Sequence, residues 1–145
     1  MTAKELAEML SGREYDEEIT PRETQDAKDA GLVVVYGYSN DNVEFCGAIN
    51  DEVGSYDGGT VYLTENGILE GPACSCAEDC DCPYFDAARK KAKTIKAVWH
   101  DEGGPCWTFE TDIPHDTFNI YEDGELFCVG IVFSMEHLGS DTHER

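Results

Sequence analysis

The chain is 145 residues long and sets 31 acidic residues against 10 basic ones, for a formal charge of −21. That length suits one domain that folds around its own core without staples, and 41% hydrophobic with 10% aromatic residues excludes wholesale disorder. The charge excludes non-specific nucleic-acid binding over the surface, because phosphates are repelled.

The N-terminal stretch Met1 to Leu10 carries two glutamates and lacks the apolar core of a leader. Thr2 and Glu5 have capping-box spacing ahead of Leu6, Met9 and Leu10, and Gly12 ends that helix. Thr20-Pro21-Arg22-Glu23 starts a second helix with a cap, a proline at the first position and a glutamate at the third. Gly31 is its natural stop. The apolar face of both is thin, with Ala27 and Ala30 leading the second, so residues 1–31 are expected to pack loosely.

From Leu32 the period changes. Leu32 to Tyr36 is a continuous apolar run, the pattern of a strand covered on both faces. Val43, Phe45, Gly47 and Ile49 alternate with more polar neighbours, as in a half-exposed strand. Thr60 to Thr64 forms a strand that turns back at Asn66-Gly67. Phe85, Ala88, Ala92 and Ile95 have helical spacing, which predicts one internal helix over Tyr84 to Ile95. Lys96 to Trp99 and Trp107 to Phe109 are strands around the His100 to Pro105 loop. Thr117 to Tyr121 and Leu126 to Phe133 form a hairpin across Asp123-Gly124. Gly139 to Arg145 is a polar, flexible tail.

The order of elements predicts a single α+β domain over residues 1–138, with a mainly antiparallel sheet, one internal helix and short N-terminal helices. Its expected core is Val33, Val35, Phe45, Val61, Leu63, Val98, Trp107, Phe109, Phe118, Ile120, Val129 and Ile131. The longest apolar stretch, Leu126 to Phe133, is eight residues, against the ~20 that a membrane span requires. A cytoplasmic protein without membrane partners is expected, its seven cysteines reduced.

Cys74, Cys76, Cys80 and Cys82 put four thiols within nine residues, enough ligands for one structural zinc. Their paired C-x-C spacing departs from the usual C-x₂-C knuckle, and a loop of free thiols is the rival reading. Cys46, Cys106 and Cys128 read as small core residues. Asp112-Ile113-Pro114-His115-Asp116 sets carboxylates beside an imidazole, but Pro114 marks a turn into the last hairpin. No serine-hydrolase, zinc-protease or phosphate-loop motif occurs, so no catalytic residue is assigned.

Charge falls in blocks. Residues 32–85 hold ten acids and no base, whereas residues 86–96 hold five of the ten bases. Arg89, Lys90 and Lys93, placed on the predicted helix, form a basic patch suited to phosphate or to relief of the flanking acids. Asp41, Glu44, Asp51, Glu52 and Asp57 make one acidic group, and Asp101, Glu102, Asp112, Asp116, Glu122, Asp123 and Glu125 a second. A charge of −21 exceeds what solubility alone asks of a small domain.

Three stretches carry a resemblance: Gly31-Leu32-Val33-Val34-Val35-Tyr36-Gly37, Tyr56-Asp57-Gly58-Gly59-Thr60, and Thr111-Asp112-Ile113-Pro114-His115 leading to Gly130-Ile131-Val132-Phe133. Together they resemble a family of small acidic proteins carried by phages and mobile elements of gut Firmicutes, over Leu6 to Phe133. The resemblance implies a setting and transfers no catalytic residue, cofactor or fold. In that setting small acidic accessory proteins are often inhibitors of host defence, anti-CRISPR proteins among them. The leading expectation is a non-enzymatic inhibitor that binds a host defence protein through its acidic faces, as a nucleic-acid mimic. One rival is a sponge for a nucleotide immune signal, stacking it on Tyr56, Trp99 or Trp107 and holding phosphate with Arg89, Lys90 and Lys93. Another is a zinc-stabilised interaction domain.

Overall fold

The computed structural model describes residues 1–14, 17, 19–37, 42–49, 52–55, 59–64, 67–69, 91–100 and 104–139. Helices are α1 (Ala3–Leu10), α2 (Pro21–Asp29) and α3 (Glu136–Gly139). Strands are β1 (Arg13–Glu14), β2 (Leu32–Gly37), β3 (Asn42–Gly47), β4 (Glu52–Ser55), β5 (Thr60–Thr64), β6 (Gly67–Ile68), β7 (Lys93–Trp99), β8 (Trp107–Glu110), β9 (Asp116–Glu122) and β10 (Glu125–Ser134). The main path of the sheet runs β4-β3-β2-β10-β8-β7-β5-β6, with β9 on the other edge of β10 and β1 beyond it.

The α+β reading holds, but the sheet is mixed. β1 pairs parallel with β9, and β10 pairs parallel with β8. Both parallel contacts join segments distant in sequence, which hairpin signals cannot anticipate.

β10 organises the sheet because one of its edges is shared. One edge pairs with β9 from Glu125 to Val132. The other pairs antiparallel with β2 over Ile131 to Ser134, and meets β8 at Cys128. A register shift between Leu126 and Cys128 makes Phe127 an extra residue, and both Phe127 and Cys128 are buried. The Phe127 carbonyl accepts from the Cys106 N–H, bringing β8 in beside the bulge.

Trp107, 0% exposed, fills the fork. A Cβ on residue 37 would collide with its indole, so only glycine fits at the end of β2. The Gly37 N–H donates to Cys128 Sγ at 3.3 Å. Burial pushes the Cys128 thiol up to about 12, and it remains protonated. Phe109 stacks parallel on Trp107 at 6.4 Å between centroids, and Trp99 meets it edge-on at 5.3 Å. Gly130 plays the same part for Phe118, its partner across β9 and β10, whose ring occupies the space a side chain would take.

The two N-terminal helices form as expected. Thr2 and Thr20 both make complete capping boxes, with Glu5 and Glu23. The expectation of loose packing is overturned: Leu6, Ala7, Leu10 and Ala27 are at most 3% exposed and join one core cluster with the strands. α1 packs on β9 and β10, and α2 on β2 and β3. β2 is buried at every position, as its unbroken apolar run predicts.

Other expectations are corrected by register. Lys91 is helical, but Lys93 to Ile95 belong to β7, so the internal helix does not reach Ile95; residues 84–90 lie outside the described residues. Ile95 and Ala97 sit opposite Val61 and Phe109 and face the core, which leaves Val98 half-buried in the opposite phase. Val129 is likewise half-buried. β3 ends at Gly47, short of Ile49: its φ of +94° turns the chain, and Ala48 N–H bonds the Leu32 carbonyl at 2.7 Å. Gly139 closes α3, and the rest of the predicted tail lies outside the described residues.

One carboxylate ties the N-terminal region together. Glu23 Oε1 accepts from Arg13 Nη1 at 2.8 Å and from the Thr20 N–H at 3.0 Å, while Oε2 accepts from Arg13 Nη2 at 2.8 Å. The Arg13 guanidinium, outweighing burial, lowers the Glu23 pKa from 4.5 to about 2. A depressed carboxylate stabilises the fold above its unfolded value, so this contribution is intact above pH 4.5 and fades as pH falls toward 2. Denaturant titrations across that window will show the parent losing stability relative to Glu23→Gln as pH falls; parallel curves would refute the clamp. Gly130→Ala will cost about 1–3 kcal/mol through collision with Phe118, read from the urea midpoint.

Candidate functional site

The β9–β10 hairpin closes through Asp123 and Gly124, whose φ values of 55° and 83° are those of a two-residue turn. Glu122 and Glu125 are therefore direct cross-strand partners. Like charges directly opposite are unfavourable. Glu14 enters from β1, opposite Tyr121, and its Oε1 accepts from the Asp123 N–H at 2.9 Å. Glu17 follows, accepting from the Glu14 N–H at 2.8 Å. Five carboxylates, Glu14, Glu17, Glu122, Asp123 and Glu125, thus gather at one end of the sheet, all but half-buried Glu14 exposed. Among the described residues none of the five enters an ion pair, while neighbouring Arg13 is held bidentately by Glu23. Burial and the Glu122 charge both raise the Cys106 thiol pKa, which keeps that cysteine protonated.

A second like-charge pair lies on the other side of β2. Glu44 on β3 and Glu52 on β4 are also register partners. The Tyr36 hydroxyl donates to Glu44 Oε1 at 3.1 Å, bracing that carboxylate on the sheet. Nearby, burial and Glu44 push the Cys46 thiol up to about 12. Asp41, Asp51 and Asp57 of the same predicted group lie outside the described residues.

The second predicted acidic group is split by the fold. Asp116 starts β9 and Glu122 ends it, which separates them by ~20 Å along a seven-residue strand. Asp101 and Glu102 lie outside the described residues. Asp112 sits before β9, in the turn that Pro114 predicts. There Thr111 Oγ1 donates to the Thr94 carbonyl at 2.6 Å and accepts from the Ile113 N–H at 3.1 Å. His115 Nδ1 lies 2.6 Å from the Ile113 carbonyl, so the imidazole is engaged by its own turn.

The residues assigned to nucleotide binding separate too. Trp107 is sealed in the fork and presents no face for stacking, whereas Trp99 is half-buried. Lys93 is on strand β7, not on a helix. It lines a cavity of about 260 Å³ together with Thr94, Thr111, Asp112, Pro114 and His137. Tyr56, Arg89 and Lys90 lie outside the described residues, as do Cys74, Cys76, Cys80 and Cys82. Among the described residues no three His, Cys, Asp or Glu side chains are placed to hold a metal ion together, the five carboxylates of the hairpin end included, and no helix is long and apolar enough to cross a membrane.

Sequence reasoning missed Glu14, Glu17, Thr94, Thr111 and His137. The only local hint was density of acids after Arg13, since a two-residue parallel strand leaves no periodic trace. If the Glu122–Glu125 opposition carries a cost, Glu125→Lys will stabilise the fold by about 0.2–1 kcal/mol. Thermal melts of parent and variant measure it, and a variant that melts lower refutes the cost.

Compared with protein-family models, with curated proteins and with solved structures, the chain finds no match.

Proposed function

We propose that the protein is a non-enzymatic counter-defence inhibitor that docks its acidic faces on a basic, nucleic-acid-holding surface of a host defence protein. The observation that carries this reading is the like-charge opposition of Glu122 and Glu125 at the hairpin end, with two further glutamates, Glu44 and Glu52, at paired backbone positions of β3 and β4. A sheet under no constraint but folding gains by placing a lysine opposite one glutamate of each pair. Retained opposition is the expected mark of a surface shaped for a partner. A cationic surface meeting these carboxylates relieves their mutual repulsion, so the cost borne by the free protein is recovered on binding.

Such carboxylates accelerate encounter and select partners, while apolar contacts carry much of the affinity. Exposed Met9, on α1, lines a recess with Arg13 and Glu17 and is an apolar neighbour of that part of the acidic group. Direct nucleic-acid binding has no place in this reading, because the faces that would mimic phosphates repel them. The nucleotide-sponge reading gains no supporting contact from Trp107 or from the strand position of Lys93. A zinc-stabilised domain rests on cysteines outside the described residues.

The test compares stability with activity in the same variants. Phage plating on defence-carrying hosts that express Glu122→Lys/Glu125→Lys or Glu44→Lys/Glu52→Lys will show protection lost for the face that meets the target. The Glu122→Lys/Glu125→Lys protein keeps a like-charge pair on an exposed tip and will melt close to the parent temperature. Complex formation will weaken steeply with salt, since exposed charges are screened beyond ~8 Å at physiological ionic strength. If both double variants protect as well as the parent, the mimicry reading is wrong.

A further inference from the structure

A recess at the margin of the hairpin-end carboxylates lies between the end of α1 and the start of α2. Met9, Ser11, Gly12, Arg13, Glu17 and Thr20 line its volume of about 400 Å³. Two of its walls are fixed. The Gly12 N–H donates to the Asn119 carbonyl at 2.8 Å, and Ser11 Oγ accepts from the Asn119 N–H at 3.3 Å, which ties that wall to β9. Thr20 is locked into its capping box with Glu23. Among the described residues only Met1 and Met9 are large apolar side chains left exposed. Met9 is 55% exposed although Leu6 and Leu10 of the same helix are 1% exposed, so it lies off the core face.

The charges of the recess sort themselves. Glu23 takes both terminal nitrogens of Arg13 at 2.8 Å, so that cation is already neutralised. Glu17 is exposed and enters no ion pair among the described residues. Its Oε1 accepts from the Glu14 N–H at 2.8 Å, which holds the carboxylate in place without cancelling its charge. A thioether and a carboxylate in one recess suit a side chain with a long apolar stem and a cationic head. Methionine adapts its shape to what lies on it. A guanidinium engages a carboxylate in a planar fork and is less strongly hydrated than an ammonium. We infer that this recess anchors an arginine side chain of the protein partner, its stem lying on Met9 and its guanidinium on Glu17. The inference rests on the inhibitor reading for the existence of that partner and names the group by which it is held.

¹H–¹⁵N correlation spectra of the full chain, titrated with N-acetyl glycyl-arginyl-glycine amide to about 10 mM, test it. The expected result is saturable shifts at residues 9, 11–13, 17 and 20. The citrulline peptide, nearly the same in shape but uncharged, will bind about two- to fivefold more weakly, and the lysine peptide will fall between the two. Met9→Ala and Glu17→Gln will each weaken the arginine peptide by about two- to fivefold. Both variants will melt close to the parent, because Met9 is more than half exposed and glutamine keeps an acceptor for the Glu14 N–H. The inference is overturned if the shifts spread alike over all exposed carboxylates or gather at residues 122–125. It is equally overturned if the citrulline or lysine peptide binds as tightly as the arginine one, or if both variants bind as the parent does. Phage plating separates the two readings. Protection lost in Glu122→Lys/Glu125→Lys with no peptide site at the recess removes the anchor and leaves the inhibitor. A peptide site with protection kept in both double variants removes the inhibitor and leaves the arginine site.

Discussion

A strand has two edges, and in this protein the fold turns on how β10 divides one of them. β2 takes its C-terminal half and β8 touches it at Cys128, so two strands compete for adjacent stretches of one ladder. Both cannot continue. The competition is resolved by a bulge at Phe127 and by the Trp107 indole, which stands where the strands diverge and leaves room at Gly37 for hydrogen alone. A bulge adds local twist and redirects the strand that carries it. Everything else is placed from here: β3 and β4 extend from β2, and β7, β5 and β6 from β8, while β9 runs along the undivided edge.

That division also explains the two acidic surfaces. β4 lies at the far end of the branch led by β2, and the hairpin tip at the start of β10. Among the described residues β4 ends one branch of the sheet and the hairpin tip closes one end of it, and the margins of a sheet are where other chains can associate. Charged side chains are a common defence of such margins. Edge protection, however, is served by any charge, including alternating signs. Glutamate facing glutamate goes further than protection needs, and this distinction separates a partner-shaped surface from a merely soluble one.

Much of the architecture was legible because its signals are local. Thr2 with Glu5, Thr20 with Pro21 and Glu23, and Asp123-Gly124 each declare a boundary through chemistry confined to four residues or fewer, and each stands as read. Leu32 to Tyr36 announced a doubly covered strand by lacking any polar interruption. The failures share a different cause. Ile95 fits a helical repeat with Phe85, Ala88 and Ala92, yet also alternates with Ala97 and Trp99, and pairing with Val61 decides for the strand. Burial of Leu6 and Leu10 depended on β9 and β10, more than a hundred residues away. The candidate site was legible only in part for the same reason. Glu122 and Asp123 were visible as a hairpin tip, but Glu14 reaches them through a parallel pairing two residues long. The polar cavity is assembled from residues 93, 111–114 and 137, whose proximity no spacing rule encodes.

The pairing of β1 with β9 has a temporal consequence. Arg13 cannot find Ile120, nor β2 its neighbour in β10, until nearly the whole chain has been made. At about 5–20 residues per second, a nascent chain waits on the order of ten seconds between synthesis of the first strand and arrival of its partner. Contacts so remote in sequence slow the folding search as well. During that interval Leu32 to Tyr36 must rest on β3 alone, with its other edge open to neighbouring chains. The acidic residues that follow, with no lysine or arginine from residue 32 to residue 85, keep nascent copies mutually repelled through that wait. The carboxylates of the finished surface are thus already in place to oppose association before the sheet closes.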